Sequence, residues 1–223
     1  RRQQVGVNGT TGLGYGFANY LSKQVADDGG EPMKLVAFND STTMLNALSS
    51  GGVDAVSATT GNFAQLLASD GVRLIVDTTD DAVRKDLLGS TYTIDTAYMG
   101  LPDTLAAKHE SVVRFLAALS KADDYRRSHT PEEVAAVLVK DPSFQQVPVE
   151  TIALSLRARD PFYTVDGGRI SEDDWRATLD WFTKWDIPTI GAVNADPTFS
   201  YANVVDMSYL TEAQSELAKA DTK

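Results

Sequence analysis

The stretch Val5-Gly6-Val7-Asn8-Gly9-Thr10-Thr11-Gly12-Leu13-Gly14-Tyr15-Gly16 decides how the rest of the chain is read. A short β-branched run is broken by Asn-Gly, passes through threonines and glycines, and enters the helical pattern Leu13–Val25, which Asp27-Asp28-Gly29-Gly30 closes. The alternation continues outward. Met33–Phe38 reads as a second strand, and Asn39-Asp40-Ser41 offers N-caps for a helix over Thr42–Ser49 that Gly51-Gly52 ends. Val53–Ala58 reads as a third strand, and Thr59-Thr60 precedes a helix through Leu67. Val72–Val76 and Tyr92–Leu101 are expected as fourth and fifth strands. Strands alternating with helices across short connections predict an α/β fold: a doubly wound, mostly parallel sheet over residues 1–100.

Residues 101–223 have a different texture. Pro102 suits a helix first turn, and Val112, Phe115, Leu116 and Leu119 recur at helical spacing. Thr130-Pro131-Glu132-Glu133 is a capping box, and Ser171-Glu172-Asp173-Asp174 is a second one. Trp175, Trp181 and Trp185 fall on one helix and read as core. Residues 191–210 read as irregular, and the polar tail after Leu210 is expected to fray. These helices have apolar faces but no sheet of their own, so they must cover something.

Composition narrows the function. The 223 residues carry 20 Lys+Arg against 31 Asp+Glu, a net charge of −11, which disfavours a grip on nucleic acid or on anionic lipid. Hydrophobic residues at 43% and charged residues at 23% are those of a globular chain. With no cysteine there is no disulfide, thiolate nucleophile or Cys-ligated metal, and the two histidines, His109 and His129, sit in polar surroundings that read as surface. No apolar run approaches the roughly 18–20 residues of a membrane span.

The loop after the first strand is the place for chemistry. Backbone N–H groups at a helix start attract an anion, Thr10 and Thr11 add hydroxyls, and Gly12 lets a ligand approach the backbone. The plainer reading is a tight turn with a threonine N-cap. A dinucleotide-binding alternative, an NAD(P)-dependent oxidoreductase of Rossmann type, is served by Asp40 at the end of the second strand. It is opposed by Phe17, which stands where G-x-G-x-x-G needs its third glycine, and by the lack of a Tyr-x-x-x-Lys pair. The other strand ends carry Asn39, Asp40, Thr59, Thr60 and Asn62. Such a rim lacks paired carboxylates and any nucleophile beside a base, so it points to binding without catalysis, with no cofactor or metal.

An ordered set of motifs resembles the substrate-binding proteins of nitrate/sulfonate/taurine-type ABC transporters, a group with thiamine-precursor-binding relatives. The set comprises Val5–Val7 with Gly9–Gly12; Ala47-Leu48-Ser49-Ser50-Gly51-Gly52-Val53-Asp54-Ala55; Leu101–Leu119; Thr130–Ala135; and Val204-Val205-Asp206-Met207-Ser208-Tyr209-Leu210. The resemblance implies a two-lobed clamshell of the periplasmic type II kind that closes on a small anionic or polar solute and docks on an ABC permease. The location it implies is periplasmic or otherwise extracytoplasmic, with anchorage through an upstream segment as an option. Residues 1–100 match the second lobe, and 101–223 match helices and a tail that complete the first. The ligand-binding positions it implies are Thr10, Thr11, Gly12, Asn39, Asp40, Thr59, Thr60 and Asn62, with Tyr92 near the return crossing. Thr59-Thr60-Gly61 departs from the aromatic–acid–Pro element that many members carry after the third strand. Because Arg1-Arg2-Gln3-Gln4 runs directly into a strand, a first lobe is expected upstream, and the C-terminal helices are expected to favour a homodimer or domain exchange. A single-lobed sensor or adaptor is the third reading.

Overall fold

The computed structural model describes residues 3–58, 66, 71–89, 94, 96–163, 167–186 and 196–220. Strands β1 (Gln4–Asn8), β2 (Lys34–Phe38) and β3 (Ala55–Val56) form a parallel sheet in the order β2-β1-β3. The register pairs Val5 with Leu35 and with Ala55, and Asn8 with Phe38. Parallel neighbours need crossover connections, and two helices supply them: α1 (Leu13–Asp27) and α2 (Ser41–Ser49).

Strand periodicity sends Val5 and Val7 to one face, where both are buried with Ala18 of α1. Gly6 points the other way, toward Met44 of α2, which is fully buried. Space for a side chain at Gly6 is tight: an added Cβ would lie 3.1 Å from each of Met44 Cγ, Phe38 Cε2 and Val56 Cγ1, so all three would have to give way. The close approach of α2 to the central strand therefore depends on a glycine at this position. Ser22, buried on α1, accepts a 2.8 Å hydrogen bond from the Met33 backbone and fixes the entry to β2.

The chain divides into two compact units, Arg1–Thr91 with Ala177–Pro197, and Tyr92–Arg176 with Thr198–Lys223. The first holds the sheet and α3 (Asp81–Leu88), whose start is capped by Asp80 through the Ala82 and Val83 backbones. Its second core is built by residues from the far end of the chain. Trp181 and Trp185 are buried against Leu13, Phe17 and Tyr20 of α1 and Leu87 of α3. Polar contacts reinforce the same seam: the Tyr20 hydroxyl donates to the Leu87 carbonyl at 3.1 Å, and Lys23 pairs with Asp186 at 2.5 Å.

The second unit contains α4 (Pro102–Ala107), α5 (His109–Ser128), α6 (Pro131–Leu138) and α7 (Val149–Arg159). Helix α8 (Glu172–Lys184) starts in this unit and ends in the first, and the short α9 (Tyr201–Val204) and α10 (Ser208–Ala220) follow. Helices α6 and α7 pack through Ala135, Ile152 and Ala153, all buried, and α10 lies along α5. Both sequence-predicted boxes form. Thr130 and Glu133 satisfy each other's backbone N–H groups, and the Ser171 hydroxyl and Asp174 carboxylate do the same ahead of α8.

Three expectations fail for physical reasons. Residues 72–76 form no strand. Leu74 and Ile75 are exposed, and the following turn is drawn toward α3 because buried Arg84 donates to the Thr78 and Thr79 carbonyls at 2.7 and 3.2 Å. The described part of 92–101 is not a strand either: Met99 and Leu101 lie in water, and Tyr98 packs edge-on against Phe115 of α5. The described segment after Leu210, through Ala220, does not fray. Leu210 and Ala213 are buried, and with Leu217 they form a helical stripe on α10, so the stretch expected to be irregular contains α9 and the start of α10.

Replacing Gly6 with valine should lower the unfolding free energy by about 1–3 kcal/mol, the usual penalty for overpacking a filled core. Urea denaturation would check this, and unchanged stability would show that α2 can retreat from the sheet.

Candidate functional site

Because the three strands are parallel, their carboxyl ends share one edge, where ligands bind in open α/β sheets. Two of the loops at that edge are tied together. Gly9, in the left-handed region at φ 73°, donates its backbone N–H to the Phe38 carbonyl at 3.0 Å. Asn8 Nδ2 donates to the Ser41 hydroxyl at 2.9 Å. The third loop begins at Ser57, whose backbone N–H reaches the Gly6 carbonyl at 2.9 Å. Gly14 brings the first turn of α1 close to that loop: a Cβ there would meet Ser57 Oγ at 3.4 Å.

The two helix starts at this edge are satisfied differently. At α2, Asp40 is the N-cap, and its carboxylate accepts from the Thr43 backbone at 2.8 Å and the Thr43 hydroxyl at 2.7 Å. The backbone bond first, then the hydroxyl bond, holds its carboxyl below the usual range. At α1 the N-cap is Gly12, extended at φ −86° and ψ 172°, with no side-chain cap and no acidic residue in the first turn. Thr10 and Thr11 are exposed and do not cap it. Among the described residues, therefore, no side chain caps the leading N–H groups of α1, and no acidic residue in its first turn answers the positive end of its dipole.

Of the residues marked by the sequence, Thr10, Thr11, Gly12, Asn39 and Asp40 come together here, and all are exposed. Asp40 serves as a cap, with both carboxylate oxygens engaged by Thr43. Thr59, Thr60, Asn62 and Tyr92 lie outside the described residues. Ser57 is an addition: β3 stops at Val56, so a residue placed inside a strand by its apolar neighbours becomes the first of a loop. Among the described residues no group of three or more acidic or histidine side chains is placed to hold a metal ion, and no helix is long and apolar enough to cross a membrane.

Two outcomes follow from the unequal caps. Gly12→Asp has room, since the nearest atom to a Cβ is the Asn8 carbonyl at 3.7 Å, and its backbone already suits an N-cap. It should stabilise the fold by about 0.3–1 kcal/mol, read by urea denaturation. Asp40 has a lowered folded pKa, so its contribution is full above the unfolded value and is lost as pH falls through the folded one. Asp40→Asn should therefore flatten the loss of stability below about pH 4, and a parent and variant with parallel acid profiles would contradict this.

Compared with protein-family models, with curated proteins and with solved structures, the chain finds no match.

Proposed function

We propose that the sheet-bearing unit is a solute-binding lobe. It holds a small anionic or polar solute at the start of α1 without covalent chemistry. The observation that carries this reading is the uncapped helix start at Gly12, at the end of the central parallel strand and beside the hydroxyls of Thr10, Thr11 and Ser57. Donors so arranged bind an anion in place; the loop offers no nucleophile–base pair to transform it. The finer architecture we propose is a doubly wound second lobe of the periplasmic type II kind, with a first lobe closing over the solute and the pair serving an ABC importer outside the cytoplasmic membrane.

Local structure in the motif segments supports this reading. The Ala47–Ala55 segment forms the end of α2, a tight Gly51-Gly52 turn closed by the Gly52 N–H on the Ala47 carbonyl at 2.7 Å, and the entry to β3. Asp54 within it accepts the Gln4 backbone N–H at 2.8 Å and so aligns the start of β1. The oxidoreductase alternative has less behind it. Asp40 is committed to Thr43, and Phe17, at the position of the missing glycine, packs on Trp185 with ring centroids 5.4 Å apart.

Isothermal titration of the full chain against taurine, methanesulfonate, nitrate, succinate and a pyrimidine tests the reading. The expected result is heat from at least one of these and its loss in Gly12→Asp, whose added carboxylate occupies the same N–H groups. Silence from the whole panel, or binding that Gly12→Asp leaves unchanged, would overturn it.

A further inference from the structure

In the second unit, the end of α5, the start of α6, the end of α7 and the 3-10 turn Asp160–Phe162 enclose a cleft of about 470 Å³, in the size range of small-molecule sites. Its character is set by Arg126, whose side chain is only 16% exposed. Asp123, one turn back on α5, accepts from Nε at 3.1 Å and from Nη2 at 3.0 Å. The ring of Tyr163 stacks against the guanidinium, with its centroid 4.0 Å from Cζ. A guanidinium held by a carboxylate on one edge and an aromatic ring on one face has lost its freedom before any ligand arrives.

The remaining edge is occupied differently. Nη1 donates to Asp160 at 2.7 Å, and the Asp160 side chain is 70% exposed and itself lines the cleft. A carboxylate that is well hydrated on its own gains little from such a pairing, so it exchanges readily. Asp160 thus sits where the carboxylate of a bound molecule would sit. The lining also includes Val134 and Leu156, which suits an apolar body, while Arg127 is engaged by Asp123 and Asp124 at 3.1 and 3.0 Å, so Arg126 is the cation this cleft presents to a ligand.

We propose that this cleft is a binding site, separate from the α1 loop, for a small carboxylic acid with an apolar body. The acid would take over Arg126 Nη1 from Asp160 and rest its apolar part on Val134 and Leu156. Recognition is local: a chain of net charge −11 does not steer an acid from a distance, so selectivity comes from the fixed fork of Arg126. No bond is made or broken.

The test uses the full chain and three probes of one shape, phenylacetate, phenylacetamide and phenethylamine, followed by isothermal titration and ligand-observed NMR. Phenylacetate is expected to bind about tenfold or more tightly than the neutral amide and the amine, because only it completes a charge-assisted pair with Arg126. Asp160→Asn removes the internal competitor at an exposed position and should tighten phenylacetate by about threefold or more, while Arg126→Gln should abolish binding. The Asp160 variant keeps the test valid if loss of Arg126 disturbs the fold. The proposal is overturned if phenylacetate gives no signal at about 10 mM, near the weakest binding such a titration resolves. It is overturned equally if acid and amide bind alike, or if binding responds to Gly12→Asp and not to Asp160→Asn.

Discussion

Everything in the first unit depends on β1 being the middle strand of a parallel trio. A parallel strand cannot be joined to its neighbour by a tight turn, so each connection must climb back over the sheet, and each climb here is a helix. That requirement places α1 over Val5 and Val7 and α2 over Gly6. It also sends every strand to the same edge as it ends. The edge that gathers the loops is therefore a by-product of strand direction, and the residues on it are supplied by whatever follows each strand.

What distinguishes the edge is a contrast between neighbours. The α2 start carries its own anion in Asp40, whereas the α1 start, a few residues away across the Asn8–Ser41 bond, has glycine. Both backbones are built for capping, and only one is capped. A protein selected for stability alone gains from an acid at both positions. Leaving one of them open gives up a few tenths of a kcal/mol and keeps a donor set available.

Local chemistry was legible in the sequence and tertiary context was not. The caps at Asp40, Thr130 and Ser171 could be read because a side chain and the backbone three residues on are enough to form them. Strands over residues 72–76 and 92–101 could not be judged from their apolar content, since a strand exists only where another lies beside it. In the described parts Leu74, Ile75, Met99 and Leu101 face water instead. Helix α10 was hidden because its buried stripe passes through Ala213, too small to stand out in a polar stretch. At the site, Gly9–Gly12 was visible as a loop, but its threonines read as caps. That neither caps α1 depends on a backbone path that no pattern encodes.

The course of the chain through the two units also has a consequence for synthesis. Tyr20 and its partners on α1 leave the ribosome about 160 residues before Trp181 and Trp185, roughly 8–32 s at ordinary elongation rates. Through that interval one flank of α1 has no aromatic cover, and the whole of α4 to α7 emerges before cover arrives. The nascent sheet must wait for a segment that follows most of the other unit, and that unit in turn waits for α10, so neither is complete until the chain is nearly finished.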